Sequence, residues 1–284
     1  MSMTGMANRT VSMLKWTNVI AAIGMAGMLG WFLIASTACS DIMGPGSAAA
    51  LNRTDSLAWV AILRANNLKY DSLAYAIVRD TAGHIVSINL YDRKVKVLPP
   101  EIGDLAYLVR LDLGKNEIAA LPKEMEKLLN LQKLFLGGNR LDSIPGGMRF
   151  MALTEVELND NRLTALPENF DVTSVEIMDL AGNLLVTLPP DFRYLTRLRN
   201  LDLSRNRLES LTDFSGMGIK VLDLSGNRLS SLPPSLFNLT PTYIQVGSNR
   251  LCFQKAADPD SATLSMIAWL DERDRDWKDT QTCP

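Results

Sequence analysis

Carboxylates are the residues of this chain that most clearly combine a reactive side chain with a regular spacing. Glu157, Asp179, Asp202 and Asp223 recur every 21 to 23 residues, and each stands between two apolar residues. General acid–base catalysis needs groups whose environments differ, so that one holds a proton that the other accepts. These acids share one local context, and none is set apart as the acid or the base of a catalytic pair.

Other groups that could perform chemistry are scarce. His84 is the single histidine, so no Ser/His/Asp or Cys/His set can be assembled elsewhere, and ordinary zinc sites are poorly supplied. No glycine-rich loop has the spacing of a phosphate cradle. Because 29 Lys and Arg residues face 31 Asp and Glu residues, the chain lacks the positive surplus that nucleic-acid binding requires. We predict a protein that is not an enzyme, with no cofactor, no metal and no nucleic-acid partner, and we interpret His84 as a surface residue.

Residues 1–38 have the layout of an export signal. Arg9 and Lys15 are their only charged residues, and an apolar run at 19–35 leads into the small residues before Cys39. Residues 36–39 resemble the lipobox of bacterial lipoproteins, in which the cysteine is lipidated, although Ser36 stands where that motif usually has Leu. The alternative is an uncleaved membrane anchor, since the run is at the short end of a bilayer span. Both interpretations place the rest of the chain outside the cytoplasm, in the cell envelope or at the surface, with Cys39 as the predicted lipidation site.

A leucine pattern repeats through most of the remaining chain. The stretch VLDLSGNRLSSLPPSLFNL at 221–239 belongs to one of eight related copies, which start at Ile85, Leu108, Leu131, Leu153, Val175, Leu198, Ile219 and Pro241. Their shared pattern, L-x-x-L-x-L-x-x-N-x-L-x-x-L-P, resembles the leucine-rich repeat family over roughly residues 85–251. The resemblance implies an α/β fold, a curved solenoid of about eight coils with a parallel β-sheet on its concave face. It also implies a role in protein–protein interaction.

An asparagine recurs in every coil except the first, where Arg93 stands in its place, and it is predicted to be structural. The chain bends where each strand ends, and an amide both donates and accepts hydrogen bonds, so stacked asparagines can satisfy buried backbone groups. The predicted ladder is Asn116, Asn139, Asn161, Asn183, Asn206, Asn227 and Asn249. Prolines after the last leucine of most coils, such as Pro99 and Pro233, predict an extended convex wall.

Both ends of a solenoid need a cap. Residues 39–54 are rich in Gly, Ser and Ala and predict a flexible tether. An N-terminal cap is predicted over 55–84, with Asp55 capping a helix over 56–66 and a β-hairpin formed by 73–78 and 84–90.

A C-terminal helical cap is predicted over 252–284. The pair Asp258-Pro259 is a helix-start signal, and Trp269 and Trp277 are predicted to pack in this cap. If Cys39 carries lipid, Cys252 and Cys283 remain, and a disulfide between them would hold the helix over the open edge. That arrangement is similar to the C-terminal caps of secreted leucine-rich-repeat proteins.

The surface expected to carry function is the concave face, where side chains vary while the framework repeats. Phe135 has two interpretations: an exposed aromatic anchor within a polar row, or a residue that only fills a gap beside Gly137 and Gly138. The sheet suits a protein partner better than a small metabolite, which prefers a closed pocket. The alternative is a carbohydrate or cell-wall ligand stacked on Tyr91, Phe135 and Tyr243. The predicted contact residues are Tyr91, Arg110, Asp112, Lys133, Phe135, Glu155, Glu157, Asp179, Asp202, Arg205, Asp223 and Tyr243.

Overall fold

The structure is a computed structural model that describes residues 52–69, 73, 75–146, 152–168, 173–252, 261–274 and 276–282. Two α-helices lie at the ends of this part of the chain, α1 (Arg53–Ala65) and α2 (Ser261–Arg273). Between them lie nine short strands: β1 (Ile77–Arg79), β2 (Ile85–Asn89), β3 (Arg110–Asp112), β4 (Lys133–Phe135), β5 (Glu155–Glu157), β6 (Ile177–Asp179), β7 (Asn200–Asp202), β8 (Val221–Asp223) and β9 (Tyr243–Gln245).

The strands form one sheet in chain order. β1 and β2 are antiparallel, as the predicted hairpin requires, and β2 to β9 are all parallel. Equivalent positions of successive coils lie in register, so that Leu201 pairs with Leu222 and Leu222 with Ile244. The predicted leucine-rich-repeat solenoid with caps is therefore confirmed.

One apolar core runs through the described coils. Its members extend from Trp59 in α1, through the framework leucines, to Leu270 and Trp277 beyond the last coil. A single coil exposes its apolar face on both sides, whereas stacked coils cover one another. The leucine spacing therefore produces one continuous interior rather than several separate cores.

The asparagines form a ladder of buried hydrogen bonds that joins neighbouring coils. Asn227 is typical: its Nδ2 donates to the carbonyls of Leu203 and Leu224, both at 2.9 Å, and its Oδ1 accepts from the amide of Leu208 at 3.0 Å. Each side chain thus serves its own coil and the preceding one. The same bonds recur, with small variations, at Asn116, Asn139, Asn161, Asn183, Asn206 and Asn249.

The wall opposite the sheet is extended at its prolines, as predicted, but it also contains 3₁₀ helices that the sequence analysis did not predict. Four of the prolines that end leucine runs are extended, as at Pro99 with φ −75° and ψ 157°, and each of the four leads directly into a 3₁₀ helix. Proline fixes φ in a range that also suits a first helical turn. The 3₁₀ helices are Pro100–Asp104, Lys123–Lys127, Pro190–Tyr194 and Pro234–Asn238.

The N-terminal cap begins earlier than predicted, within the expected tether. Asn52, not Asp55, caps α1, because its Oδ1 accepts from the amide of Thr54 at 2.9 Å. Asp55 lies one turn further on and is buried, where its Oδ2 accepts from the amide of Ile85 at 2.6 Å. The acid therefore joins the helix to the first parallel strand instead of starting the helix.

The C-terminal cap reproduces the ladder with a different residue. Gln281 Oε1 accepts from the amide of Leu251 at 3.0 Å, and its Nε2 donates to the carbonyl of Val246 at 3.2 Å. These are the bonds that the asparagine of a further coil would make. Asp274 also accepts from the amide of Val246, at 2.8 Å. Trp277 is fully buried beneath the last coil, while Trp269 packs edge-on against Phe237.

Several predictions concern residues outside the described ranges. These are the export signal at 1–38, the lipidation site Cys39, most of the tether, the helix-start pair Asp258-Pro259, and Cys283, the expected disulfide partner of Cys252. Of the two described helices, neither is long and apolar enough to cross a bilayer.

Candidate partner-binding surface

The concave face is built by strand alternation. In each three-residue strand the central side chain is buried, and the two flanking side chains project from the other face of the sheet. In β5, for example, Val156 is in the core while Glu155 and Glu157 project outward. Register then aligns these flanking residues into two rows across the sheet. One row contains Arg110, Lys133, Glu155, Ile177, Asn200, Val221 and Tyr243, and the other contains Asp112, Phe135, Glu157, Asp179, Asp202, Asp223 and Gln245.

The strands β3 and β4 carry the basic side chains of this face. Arg110 bonds Asp112 Oδ2 at 3.0 Å, and Lys133 bonds Glu155 Oε2 at 2.6 Å. The Arg110 guanidinium also lies over the ring of Phe135, 4.2 Å from its centroid. Phe135 is consequently only 8% exposed. The expectation of an exposed aromatic anchor is wrong, because a long side chain on the neighbouring strand covers the ring.

Tyr91 is the aromatic residue that this end of the face does expose. It lies just after β2, and its ring rests against the backbone of Gly114, where a β-carbon would be 2.9 Å from a ring carbon. The ammonium of Lys115 lies 5.2 Å from the ring centroid. Glycine at position 114 therefore leaves the space that the Tyr91 ring occupies.

The middle of the face carries an acidic row, by which we mean Glu157, Asp179, Asp202 and Asp223 on the neighbouring strands β5 to β8. Adjacent strands lie about 4.8 Å apart, so like charges face one another along the row. Burial, followed by the charges of Glu155 and Asp112, raises the pKa of Glu157 to about 7. Burial, followed by a neighbouring acid of the row, also raises the pKa of Asp179 and of Asp202.

Hydrogen bonds hold three of these carboxylates in place. Asp179 accepts from the amide of Ala181 at 2.9 Å, and Asp202 accepts from the amide of Ser204 at 2.8 Å. Asp223 accepts from both the amide and the hydroxyl of Ser225, at 2.9 and 2.6 Å. Asp202 is only 6% exposed, which its sequence position did not indicate. Its neighbours in the row are better placed than Asp202 itself to touch a partner.

Two further predicted contact residues lie at the margins of the face. Arg205 is not on a strand but in the turn after β7, where it has φ 55° and pairs with Asp160 at 3.2 Å. That pair passes over Gly182, whose missing side chain leaves room for it. Tyr243 on β9 is half-buried, and burial followed by the charge of Asp223 raises its pKa to about 12.

His84 is the chemically interesting residue whose surroundings sequence reasoning missed. Its ring stacks on Tyr107 with centroids 3.9 Å apart, and its Nδ1 lies 3.6 Å from Asp55 Oδ1. That Nδ1 is buried without a hydrogen-bond partner in the described structure. No sequence signal links these three residues, because Asp55 lies in the helix α1, His84 in the hairpin and Tyr107 at the end of the first coil. No group of three or more His, Cys, Asp or Glu side chains in the described ranges could hold a metal ion.

Comparison with known proteins agrees with this architecture. Residues 151–208 match a family model described as Leucine rich repeat, and residues 218–239 match a second model of that description. A leucine-rich-repeat protein of Leptospira interrogans is 34% identical with a TM-score of 0.56, over 65% of this chain and 46% of that one. The chain thus spans about half the length of that relative. No curated protein sequence matches the chain.

Two more distant structures share the fold alone. The PEPR1–AtPEP1 structure is 23% identical with a TM-score of 0.57, over 70% of this chain and 32% of that one. A plant ice-binding protein is 24% identical with a TM-score of 0.52, over 71% of this chain and 81% of that one. By its repeats and its sheet, the protein is a leucine-rich-repeat solenoid, a class of scaffold that generally binds proteins and is generally not catalytic.

Proposed function

We propose that this protein is a non-catalytic recognition scaffold of the cell envelope that binds a protein partner through the concave face of its sheet. The observation that carries the proposal is the acidic row on β5 to β8. Three of its four carboxylates accept backbone hydrogen bonds. Burial raises the pKa of Glu157, Asp179 and Asp202, which makes these groups costly to keep ionised in the free protein. A partner that presents Lys, Arg or amide donors would relieve that cost.

The shape of the face also supports a protein partner. The sheet has eight parallel strands, β2 to β9, which at about 4.8 Å each make a surface roughly 35 Å wide. A surface of that size matches a protein interface better than a metabolite pocket. The carbohydrate alternative loses its aromatic platform, since Phe135 is covered by Arg110, and Tyr91 and Tyr243 lie at opposite ends of the sheet.

A pull-down from envelope extract tests the concave face. Glu157→Lys replaces one acid of the acidic row with a cation, and Glu126→Lys makes the same substitution on the 3₁₀ helix of the opposite wall, where the side chain is exposed. We expect Glu157→Lys to lose the partner and Glu126→Lys to keep it. If both variants retain the partner, or if both lose it equally, the partner does not bind through the concave face.

The envelope anchor is tested separately. Cells that express the full chain are labelled with radioactive palmitate, and the same experiment is made with Cys39→Ala. We expect label in the wild-type protein and none in the variant. An unlabelled wild-type protein that still sediments with membranes would favour the uncleaved anchor, and a fully soluble one would contradict both anchors.

A further inference from the structure

The N-terminal end of the solenoid carries a charged surface that the proposed function does not use. Residues 52–97 contain seven Lys and Arg residues against four Asp and Glu residues, whereas residues 98–284 contain 20 against 26. One of the four acids, Asp55, is buried and adds nothing to the surface. The protein is therefore basic at the end that adjoins the predicted tether and acidic over the remaining coils.

The outer face of α1 forms one part of this surface. The helix turns its buried side chains, such as Trp59, toward the core. With 3.6 residues per turn, an arc of about 60° on the opposite side of the helix carries Arg53, Leu57, Val60 and Arg64. Both arginines are exposed, and Leu57 is 64% exposed. The outer face of α1 is therefore an apolar centre between two arginines.

The first coil extends this surface beyond the end of α1. The side chain of Asn66 donates to the carbonyl of Val97 at 2.7 Å and accepts from the amides of Lys96 and Val97, at 2.8 and 3.0 Å. These bonds hold the exposed Lys96 and Val97 beside the helix end. We call the combined surface the cap patch, and its members are Arg53, Leu57, Val60, Arg64, Lys96 and Val97.

The cations of the cap patch are not neutralised within the part of the chain that the structure describes. No ion pair among those residues involves Arg53, Arg64 or Lys96. Asp92 and Glu101, the exposed acids nearest to Lys96 along the chain, form no ion pair there either. The patch therefore presents its positive charge, together with exposed apolar side chains, to a ligand.

The position of the cap patch favours a membrane surface as that ligand, provided that the proposed envelope anchor holds. Residues 40–51 separate the predicted anchor at Cys39 from the start of the cap, and a flexible tether of that length has an r.m.s. end-to-end distance of about 20 Å. An anchored chain thus holds the patch close to the lipid headgroups. Basic residues at that distance are attracted to anionic lipids, and apolar side chains among them enter the boundary between headgroups and acyl chains.

We propose that the cap patch binds the surface of an anionic lipid bilayer. Arg53, Arg64 and Lys96 contact lipid phosphates, and Leu57 lies at the boundary between the headgroups and the acyl chains. Because α1 covers the first end of the solenoid, this contact directs the last coil away from the bilayer. The concave face stays open to a partner, and a tethered solenoid becomes an oriented one.

Photocrosslinking to lipid tests the cap patch in the full-length protein. A benzophenone amino acid replaces Leu57 in one sample, and in another it replaces Leu264, which is 53% exposed on α2. Each sample is illuminated with vesicles of phosphatidylcholine or of phosphatidylcholine mixed with phosphatidylglycerol. We expect lipid adducts from position 57 on the anionic vesicles, and about fivefold fewer or less on the neutral vesicles or from position 264.

A charge variant shows whether the cations of the patch are responsible. One triple variant removes them: Arg53→Gln, Arg64→Gln and Lys96→Gln. A matched variant removes three exposed cations elsewhere: Lys123→Gln, Lys127→Gln and Arg197→Gln. On anionic vesicles we expect the patch variant to lose about fivefold or more of the adduct yield from position 57, and the matched variant to keep it. Thermal unfolding of each variant checks that it is folded.

The proposal fails if position 57 gives no lipid adduct on anionic vesicles, gives as much on neutral ones, or keeps its yield in the patch variant. A discrete protein crosslinked to position 57 in cells, without lipid adduct, would also overturn it and would assign the patch to an acidic protein. Flotation with neutral vesicles in high salt reports on the anchor separately, because salt screens the patch and not an inserted anchor. Loss of that flotation with persistent adducts on anionic vesicles would contradict the anchor and support the patch.

Discussion

At the scale of single residues, the acidic row links stability to pH. The unfolded chain ionises Asp and Glu near pH 4, whereas folded Glu157 holds its proton up to about pH 7, and the pKa of Asp179 is raised as well. Between these values the folded state binds more protons than the unfolded state. The free energy of unfolding should therefore fall as pH rises from about 4 to 8.

Asp179→Asn isolates this effect. The side-chain oxygen of Asn can still accept the hydrogen bond from the backbone amide of Ala181, whereas the carboxylate charge is removed. We expect the variant to exceed the wild-type free energy of unfolding by about 1–2 kcal/mol at pH 8 and to match it near pH 4. Urea denaturation at several pH values measures this, with exposed Asp191→Asn as the control. If the difference in the free energy of unfolding between the variant and the wild type is the same at every pH, ionisation of Asp179 does not destabilise the folded protein.

At the scale of elements, the coils and the C-terminal cap depend on the same amide hydrogen bonds. Asn206→Ala leaves the amide of Leu185 and the carbonyls of Leu180 and Leu203 without their side-chain partner. Since an unsatisfied buried polar group costs about 1–3 kcal/mol, we expect a loss of about 2–4 kcal/mol in the free energy of unfolding, measured by urea denaturation.

Gln281 is expected to behave as a ladder residue although it lies outside the repeats. Gln281→Ala should destabilise the protein by about 1–3 kcal/mol, and hydrogen exchange should increase first at the amide of Leu251, which loses its acceptor. The exposed Gln132→Ala serves as the control. If both glutamine variants lose the same small amount of stability, the cap does not depend on the hydrogen bonds by which Gln281 takes the place of a ladder asparagine.

At the scale of the whole molecule, the disulfide that would join the C-terminal end of the chain to the last coil remains a prediction. A disulfide between Cys252 and Cys283 should appear in non-reducing peptide mass spectrometry of the exported protein. In the chain-entropy account, its reduction should lower the free energy of unfolding by roughly 3–4 kcal/mol. Recovery of both cysteines as free thiols after export would contradict the pairing.

For the whole molecule, the sequence predicted the repeating framework but not the contacts of the site and the caps. The solenoid followed from the leucine and asparagine spacing, because each coil meets the same neighbours and local pattern therefore determines burial. Phe135, Asp55 and Gln281 were not predictable, because each depends on a residue on another element: Arg110, Ile85 and Leu251. The framework is predictable because its contacts repeat from coil to coil, whereas the site and the caps depend on contacts that occur only once.

Site-directed photocrosslinking in cells tests the central claim most directly. A benzophenone amino acid replaces Lys133 on the concave face in one strain, and Lys127 on the opposite wall in another, so that each variant loses one exposed lysine. The account predicts that position 133 crosslinks to a discrete envelope protein and that position 127 does not. The same crosslinked protein from position 127, with none from position 133, would show that recognition does not use the concave face.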